Sequence, residues 1–291
     1  MQVVIHAGAH VTDEDRLVNC LALNRGMLSE IGTNIPEPSN YRKLISDLFR
    51  VAQSSGLAED ARDVLLDGIL QGEASDRVVL SSAGFFGTPK MALSPGQLYT
   101  TTEDRLTTLS QIFRGDQMEF FIALCNPASY LPAMFRKAPF DSFDDFMRGS
   151  DPRSIRWSEM ILRVRTALPD LPITIWCNED LPLVWSQVIR EMAGLDLISG
   201  FEGEFSLLDE IMTPAGMERF KSYLSERPGI SESQKRRVIA AFLDKFARDE
   251  AIEEELDIPG WTEALVEELT EIYDEDLFVI QSIPGVSVIT P

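Results

Sequence analysis

Histidine is almost missing from this chain, cysteine is sparse, and basic residues are far outnumbered by acidic ones. The 291 residues include only His6 and His10, so any chemistry that needs an imidazole must take place at the N-terminal turn. The three cysteines, Cys20, Cys125 and Cys177, lie far apart, with no CxxC spacing and no histidine close by in sequence. That pattern supports neither a disulfide framework nor a zinc site, and no metal centre is expected. It suits a reducing compartment, where isolated cysteines behave as small apolar residues. No run of eighteen apolar residues occurs, and no basic flank precedes a long apolar segment at the N-terminus. Neither a membrane span nor a secretory leader is therefore expected, and the expected location is the cytoplasm. With 26 Lys and Arg against 47 Asp and Glu, the formal net charge is −21. A chain of that sign repels phosphate backbones and anionic lipid, which excludes nucleic acid and membrane surfaces as partners. From Asp249 onward there are thirteen Asp or Glu and no Lys or Arg. These acids interleave with an apolar stripe, as on a solvated helix face, although they could also meet a basic partner.

What is present is an ordinary globular composition, 44% hydrophobic and 25% charged, enough for a full core. Four short apolar runs read as strands, at 2–6, 77–81, 118–124 and 172–177. They are continuous rather than alternating, and long helical stretches separate them. Together these features predict an α/β protein whose parallel sheet is buried on both faces by layers of helices. Helical periodicity fills 13–31, 39–55, 58–71, 101–114, 127–137, 154–167 and 181–193, while 94–100 and 139–153 read as loops. After Gly200 helices dominate, at 214–226, 232–248 and 261–277. Ser231 with Gln234 forms a capping-box pattern, and Ile283 to Ile289 reads as a terminal extended segment. The expected division is an α/β domain over 1–200 and an acidic helical subdomain over 201–291 packed on it.

The first seventeen residues carry the most specific signal. Val3-Val4-Ile5 leads through His6-Ala7-Gly8-Ala9-His10 into Thr12-Asp13-Glu14-Asp15. A strand, a glycine-containing turn and a helix N-terminus commonly cradle a phosphate, because free N–H groups and the helix dipole converge there. In this sequence the acids fill that cradle. Thr12 fits an N-cap, Asp15 fits the acidic half of a capping box, and Asp13 and Glu14 fall in the first turn. Such carboxylates stabilise a helix start by about 0.3–1 kcal/mol each and repel an incoming anion by the same physics. The three acids could instead attract magnesium or calcium, but consecutive positions point different ways and at most two could share an ion.

The segment His6-Ala7-Gly8-Ala9-His10-Val11-Thr12 resembles the opening of a bacterial branch of the P-loop sulfotransferases, H-x-G-x-H/P-K/R-T-G-T-T-S-L/I-Q. His6, Gly8, His10, Thr12 and Leu17 keep that pattern, whereas Val11 replaces its cation and Asp13 to Asp15 replace its Gly-Thr-Thr or Ser. Leu80-Ser81-Ser82-Ala83-Gly84-Phe85-Phe86-Gly87 resembles a second family segment, with Ala83 where the family's general-base Glu stands. Cys125-Asn126-Pro127 and the residues after it resemble a third, with Cys125 and Ala133 where an Arg and a Ser hold the 3′-phosphate. The resemblance spans roughly 1–195. It implies a sulfotransferase-like fold and a site for 3′-phosphoadenosine 5′-phosphosulfate. It also implies that the cation, base and 3′-phosphate ligands that chemistry requires are replaced.

Two functional readings follow. The chain is a sulfotransferase-like pseudoenzyme with a degenerate loop at Gly8, His10 and Thr12. Such a protein binds no cofactor and acts through a protein partner or a small-molecule ligand. Alternatively, transfer persists through an altered site that uses 3′-phosphoadenosine 5′-phosphosulfate, with His6 or His10 as base. Ser81 and the arginines Arg105, Arg153 and Arg156 would then hold the anion. Each of these residues also has a plainer reading. The two histidines would bond backbone groups at a turn, Arg153 and Arg156 would be surface ion-pair partners, and Trp157, Trp176 and Trp185 would be core.

Overall fold

The computed structural model describes residues 1–196, 200–252 and 258–291. Part of the acidic block, 253–257, lies outside the described residues, as do the three residues just before Gly200. The strands are β1 (Gln2–His6), β2 (Thr33–Asn34), β3 (Arg77–Ser81), β4 (Leu93–Ser94), β5 (Gln97–Leu98), β6 (Gln117–Leu124), β7 (Ile173–Cys177) and β8 (Val286–Ile289). Six of them form one parallel sheet in the order β2-β3-β1-β6-β7-β8. The fold is α/β, with helices on both faces.

The continuous apolar strands divide by the two-residue period of the pleat. Val3, Ile5, Val78, Leu80, Phe120, Ile122, Ile173 and Ile175 enter one core, and Val4, Val79, Phe121, Ala123 and Trp176 enter the other. Helices Pro38–Ser55, Ala61–Leu70, Thr102–Ile112, Pro127–Lys137, Trp157–Ala167 and Glu263–Gln281 cover the first face. Arg16–Leu23 and Leu181–Ala193 cover the second. Prolines at first-turn positions and the capping box of Ser231 with Gln234 start several helices where the sequence indicates. Among the described residues, no helix is long and apolar enough to cross a membrane.

Several expectations are corrected. The helix expected at 13–31 is two helices, Arg16–Leu23 and Arg25–Glu30. At the break, Asn24 turns its amide onto the Cys20 carbonyl and onto both main-chain groups of Glu202. The loop at 94–100 contributes to the β4–β5 hairpin, and 139–153 contains the short helix Phe143–Met147. The edge strand β2 was not expected, because two residues carry no periodicity, whereas the expected terminal extended segment docks against β7 as the edge strand β8.

The chain after Gly200 divides between two places. Helices Ser206–Ile211, Pro214–Ser225 and Glu232–Phe246 enclose a small core of Leu208, Met212, Met217, Phe220 and Ile239. The segment from Glu263 onward instead joins the main layers. Tyr273, Ile280 and Ile283 enter the first core, and β8 extends the sheet. The buried Asp276 carboxylate accepts from the main-chain N–H of Trp157 at 2.7 Å and of Ser158 at 3.1 Å, and also from the Ser158 hydroxyl. It thereby caps helix Trp157–Ala167 from a neighbouring helix, since Arg156 at the N-cap position provides no side-chain bond. Replacing Asp276 with Ala orphans these donors and is expected to lower stability by about 2–3 kcal/mol, read as a lower denaturation midpoint in urea.

Candidate functional site

Strand order places the candidate site. The chain leaves β1 toward β2 and β3 on one side and leaves the adjacent β6 toward β7 and β8 on the other. Connections that diverge from neighbouring parallel strands open a crevice at their carboxyl ends. The 6–15 turn lies at that edge, beside a pocket of about 320 Å³ lined by His6, Gly8, Asp13, Glu14, Asp15, Arg42, Ser82, Ala83, Gly84 and Lys137.

The turn is held down by its own backbone. The N–H groups of Ala7 and Ala9 donate to the β6 carbonyls of Phe121 and Ala123, and Ala123 donates back to Gly8 at 2.7 Å. Gly8 has φ +91, and a Cβ there would meet the His10 nitrogen at 3.1 Å and the Ala83 Cα at 3.3 Å, so glycine is required. The helix expected to begin under a Thr12 cap begins instead at Arg16. Val11, Glu14 and Asp15 take left-handed conformations, with φ of 61, 49 and 67, and the chain folds back on itself before the helix starts. Thr12 turns its hydroxyl inward onto the Ala9 carbonyl at 2.8 Å. Asp13 takes over the capping role, with Oδ1 accepting from Leu17 N–H at 2.7 Å.

The two histidines are brought near the turn in unlike states. His10 Nδ1 lies 2.7 Å from the Tyr99 hydroxyl, which also accepts from the His10 main-chain N–H and from the Tyr130 hydroxyl. Tyr99 therefore gives its single proton to Nδ1, leaving the imidazole proton on Nε2, where the Gly87 carbonyl attracts it. Both ring nitrogens are engaged. His6 lies buried against the Trp176 ring, with Nδ1 2.8 Å from the Ser81 hydroxyl and Nε2 without a partner. Burial holds each imidazole down to about 4, so both are neutral at pH 7.

The acids and cations of the pocket neutralise one another. Arg42 grips Asp15 through two bonds, of 2.6 and 2.9 Å, and gives its Nε to the Ser81 carbonyl. Lys137 pairs with Glu14. Both pairings hold their carboxyls below the usual range. Asp13 behaves oppositely, because burial pushes its carboxyl up to about 6.

The remaining sequence candidates lie elsewhere. Arg153 pairs with Glu268 at 2.8 Å and with Asp151, and Arg156 donates to the carbonyls of Arg153 and Ile155. Arg105 donates to the Phe85 carbonyl and stacks on Phe49. None of these arginines lines the pocket, and Ser81 stands behind it holding His6. Sequence reasoning missed Arg42 and Lys137. Arg42 lies in the second turn of helix Pro38–Ser55, with no local motif to mark it, and Lys137 is an ordinary last-turn cation. The three tryptophans are core residues, as expected. Among the described residues, no group of three or more His, Cys, Asp or Glu is placed to hold a metal.

The buried groups predict a pH signature. His6 and His10 titrate near 6.5 unfolded and about 4 folded, so between these values the unfolded chain holds more protons and stability rises with pH. Asp13 titrates near 3.8 unfolded and about 6 folded, so there the folded chain holds more protons and stability falls as pH rises. Asp13→Asn removes the falling contribution. Urea denaturation at pH 4.5, 5.0 and 5.5 should therefore show a steeper rise in the variant than in the wild type, by up to about 1.4 kcal/mol per pH unit. Equal slopes would mean that Asp13 is not a buried, high-titrating acid.

No protein-family model and no curated protein sequence matches the chain. Among solved structures it is similar to a crystal structure of a sulfotransferase from Alicyclobacillus acidocaldarius, with 14% sequence identity, a TM-score of 0.40, and coverage of 82% of this chain and 97% of that one.

Proposed function

We propose that this chain is a sulfotransferase-like protein with a retired nucleotide site, one that transfers no sulfuryl group and acts as a binding or regulatory protein. The observation that carries the reading is the pairing of both pocket cations with carboxylates of the 6–15 turn, Arg42 with Asp15 and Lys137 with Glu14. An incoming phosphosulfate would have to displace Asp15 from a bidentate, charge-assisted contact while facing Asp13. The Lys137–Glu14 pair is half-exposed and contributes only about 0–1 kcal/mol, so displacing it alone would cost little. The Arg42 pair is the stronger block. Backbone donors that such a turn would offer a phosphate are also engaged, at Ala7, Ala9, His10 and Leu17. At the position of the family's base, Ala83 presents a methyl group to the pocket. Transfer through an altered site would need Arg105, Arg153 or Arg156 near Gly8, and each is bonded elsewhere.

Calorimetric titration with 3′-phosphoadenosine 5′-phosphate at low salt is expected to give no detectable heat. Micromolar binding would overturn the reading. The double variant Glu14→Gln, Asp15→Asn frees Lys137 and Arg42 and is expected to gain measurable affinity for the same nucleotide. No gain would show that internal pairing is not what closes the site to anions.

A further inference from the structure

A second cleft, of about 280 Å³, lies between the carboxyl-terminal end of helix Pro38–Ser55 and helix Thr102–Ile112. It shares no lining residue with the pocket beside Gly8. Phe49, Ala52 and Leu57 give it an apolar side. Arg105 is the one cation among its lining residues. The guanidinium is fixed in place, because Nη1 donates to the Phe85 carbonyl and the group lies over the Phe49 ring, 5.0 Å from its centroid. Its charge, however, goes unmatched. Although acidic residues outnumber basic ones by 47 to 26, no carboxylate pairs with Arg105 among the described residues. Burial pushes the guanidinium below its ordinary value, and no acid offsets that shift. Other partly buried arginines of the chain do meet acids, as Arg42 meets Asp15 and Arg163 meets Glu103 and Glu159. Asp104, also on the cleft, is exposed and does not reach Arg105. Of the guanidinium nitrogens, Nε is buried without a partner, whereas Nη2 makes no bond and is left open to the cleft. Partly buried cations are normally matched by an acceptor, so the open Nη2 beside an apolar wall points to a ligand with a negative head and an apolar body.

We propose that this cleft binds a small amphipathic monocarboxylate, with its carboxylate on Arg105 Nη2 and its apolar body along Ala52 and Leu57. One negative charge matches the one unpaired guanidinium. A multiply charged anion is disfavoured, because Asp104 and the carbonyl end of helix Pro38–Ser55 face the same cleft. The cleft lies apart from the 6–15 turn, so this assignment and the reading of that turn stand or fall independently.

The test is a titration of isotopically labelled protein with hexanoate, following the Arg105 guanidinium and the Leu57 methyl groups by NMR. Saturable shifts at both are expected, with none from hexylammonium or from inorganic sulfate. Absence of shifts with hexanoate overturns the proposal. Shifts reproduced by hexylammonium show apolar contact without the carboxylate, and shifts reproduced by sulfate show an adventitious ion only; either result overturns it. Read at Leu57, hexanoate affinity is expected to fall at least about tenfold in Arg105→Gln, as befits loss of a charge-assisted bond. That substitution also removes the Phe85 contact, so Gln53→Glu provides a second variant, placing a like charge on the cleft from an exposed position. It is expected to weaken binding by about threefold or more. Unchanged affinity in either folded variant overturns the proposal.

Discussion

Val3, Val4 and Ile5 are fully buried between two parallel neighbours and two helical layers, and the carboxyl end of β1 inherits their isolation from water. A chain that emerges from such a strand must satisfy its polar groups from protein, because no solvent reaches them. At the 6–15 turn this requirement is met almost entirely from within. The turn keeps ladder-like bonds to β6 beyond the strand proper, His6 leans on Ser81, Thr12 returns to Ala9, and Asp13 caps the helix that follows.

That self-sufficiency changes the electrostatic character of the site. A strand–turn–helix that leaves its N–H groups and a cation free attracts anions. Here the same elements hold three carboxylates, two of them matched by Arg42 and Lys137, which come from helices distant in sequence. Asp13 remains as a buried acid, close to a neutral imidazole that lacks one partner. Both cations at the rim are thus engaged by carboxylates of the turn itself.

The C-terminal segment is tied into this arrangement rather than appended to it. Helix Glu263–Gln281 caps Trp157–Ala167 through Asp276, and the Trp157 indole in turn donates to the Cys125 carbonyl just beyond β6. Asn126, next in the chain, bonds the Thr270 hydroxyl. The last helix therefore braces the connection that leaves β6, and this connection forms one wall of the crevice.

Much of this was legible in the residues themselves. Continuous Val, Ile and Phe runs separated by helical stretches specify a parallel sheet, because only a strand buried on both faces tolerates apolar side chains at successive positions. The glycine at position 8 and the acids at 13–15 marked the site and its unusual charge. The sequence could not reveal that Thr12 turns inward and that the helix starts three residues late, since left-handed residues at Val11, Glu14 and Asp15 have no compositional mark. Nor could it show which of the 26 basic residues reach the pocket. Arg42 and Lys137 stand beside Asp15 and Glu14 only because separate crossover helices pack over one sheet edge. The sequence by itself determined the layered architecture and the place of the turn, through short-range hydrophobic periodicity and capping chemistry. Only the tertiary structure decided the charge balance of the site, because that depends on pairs 27 and 123 residues apart in the chain.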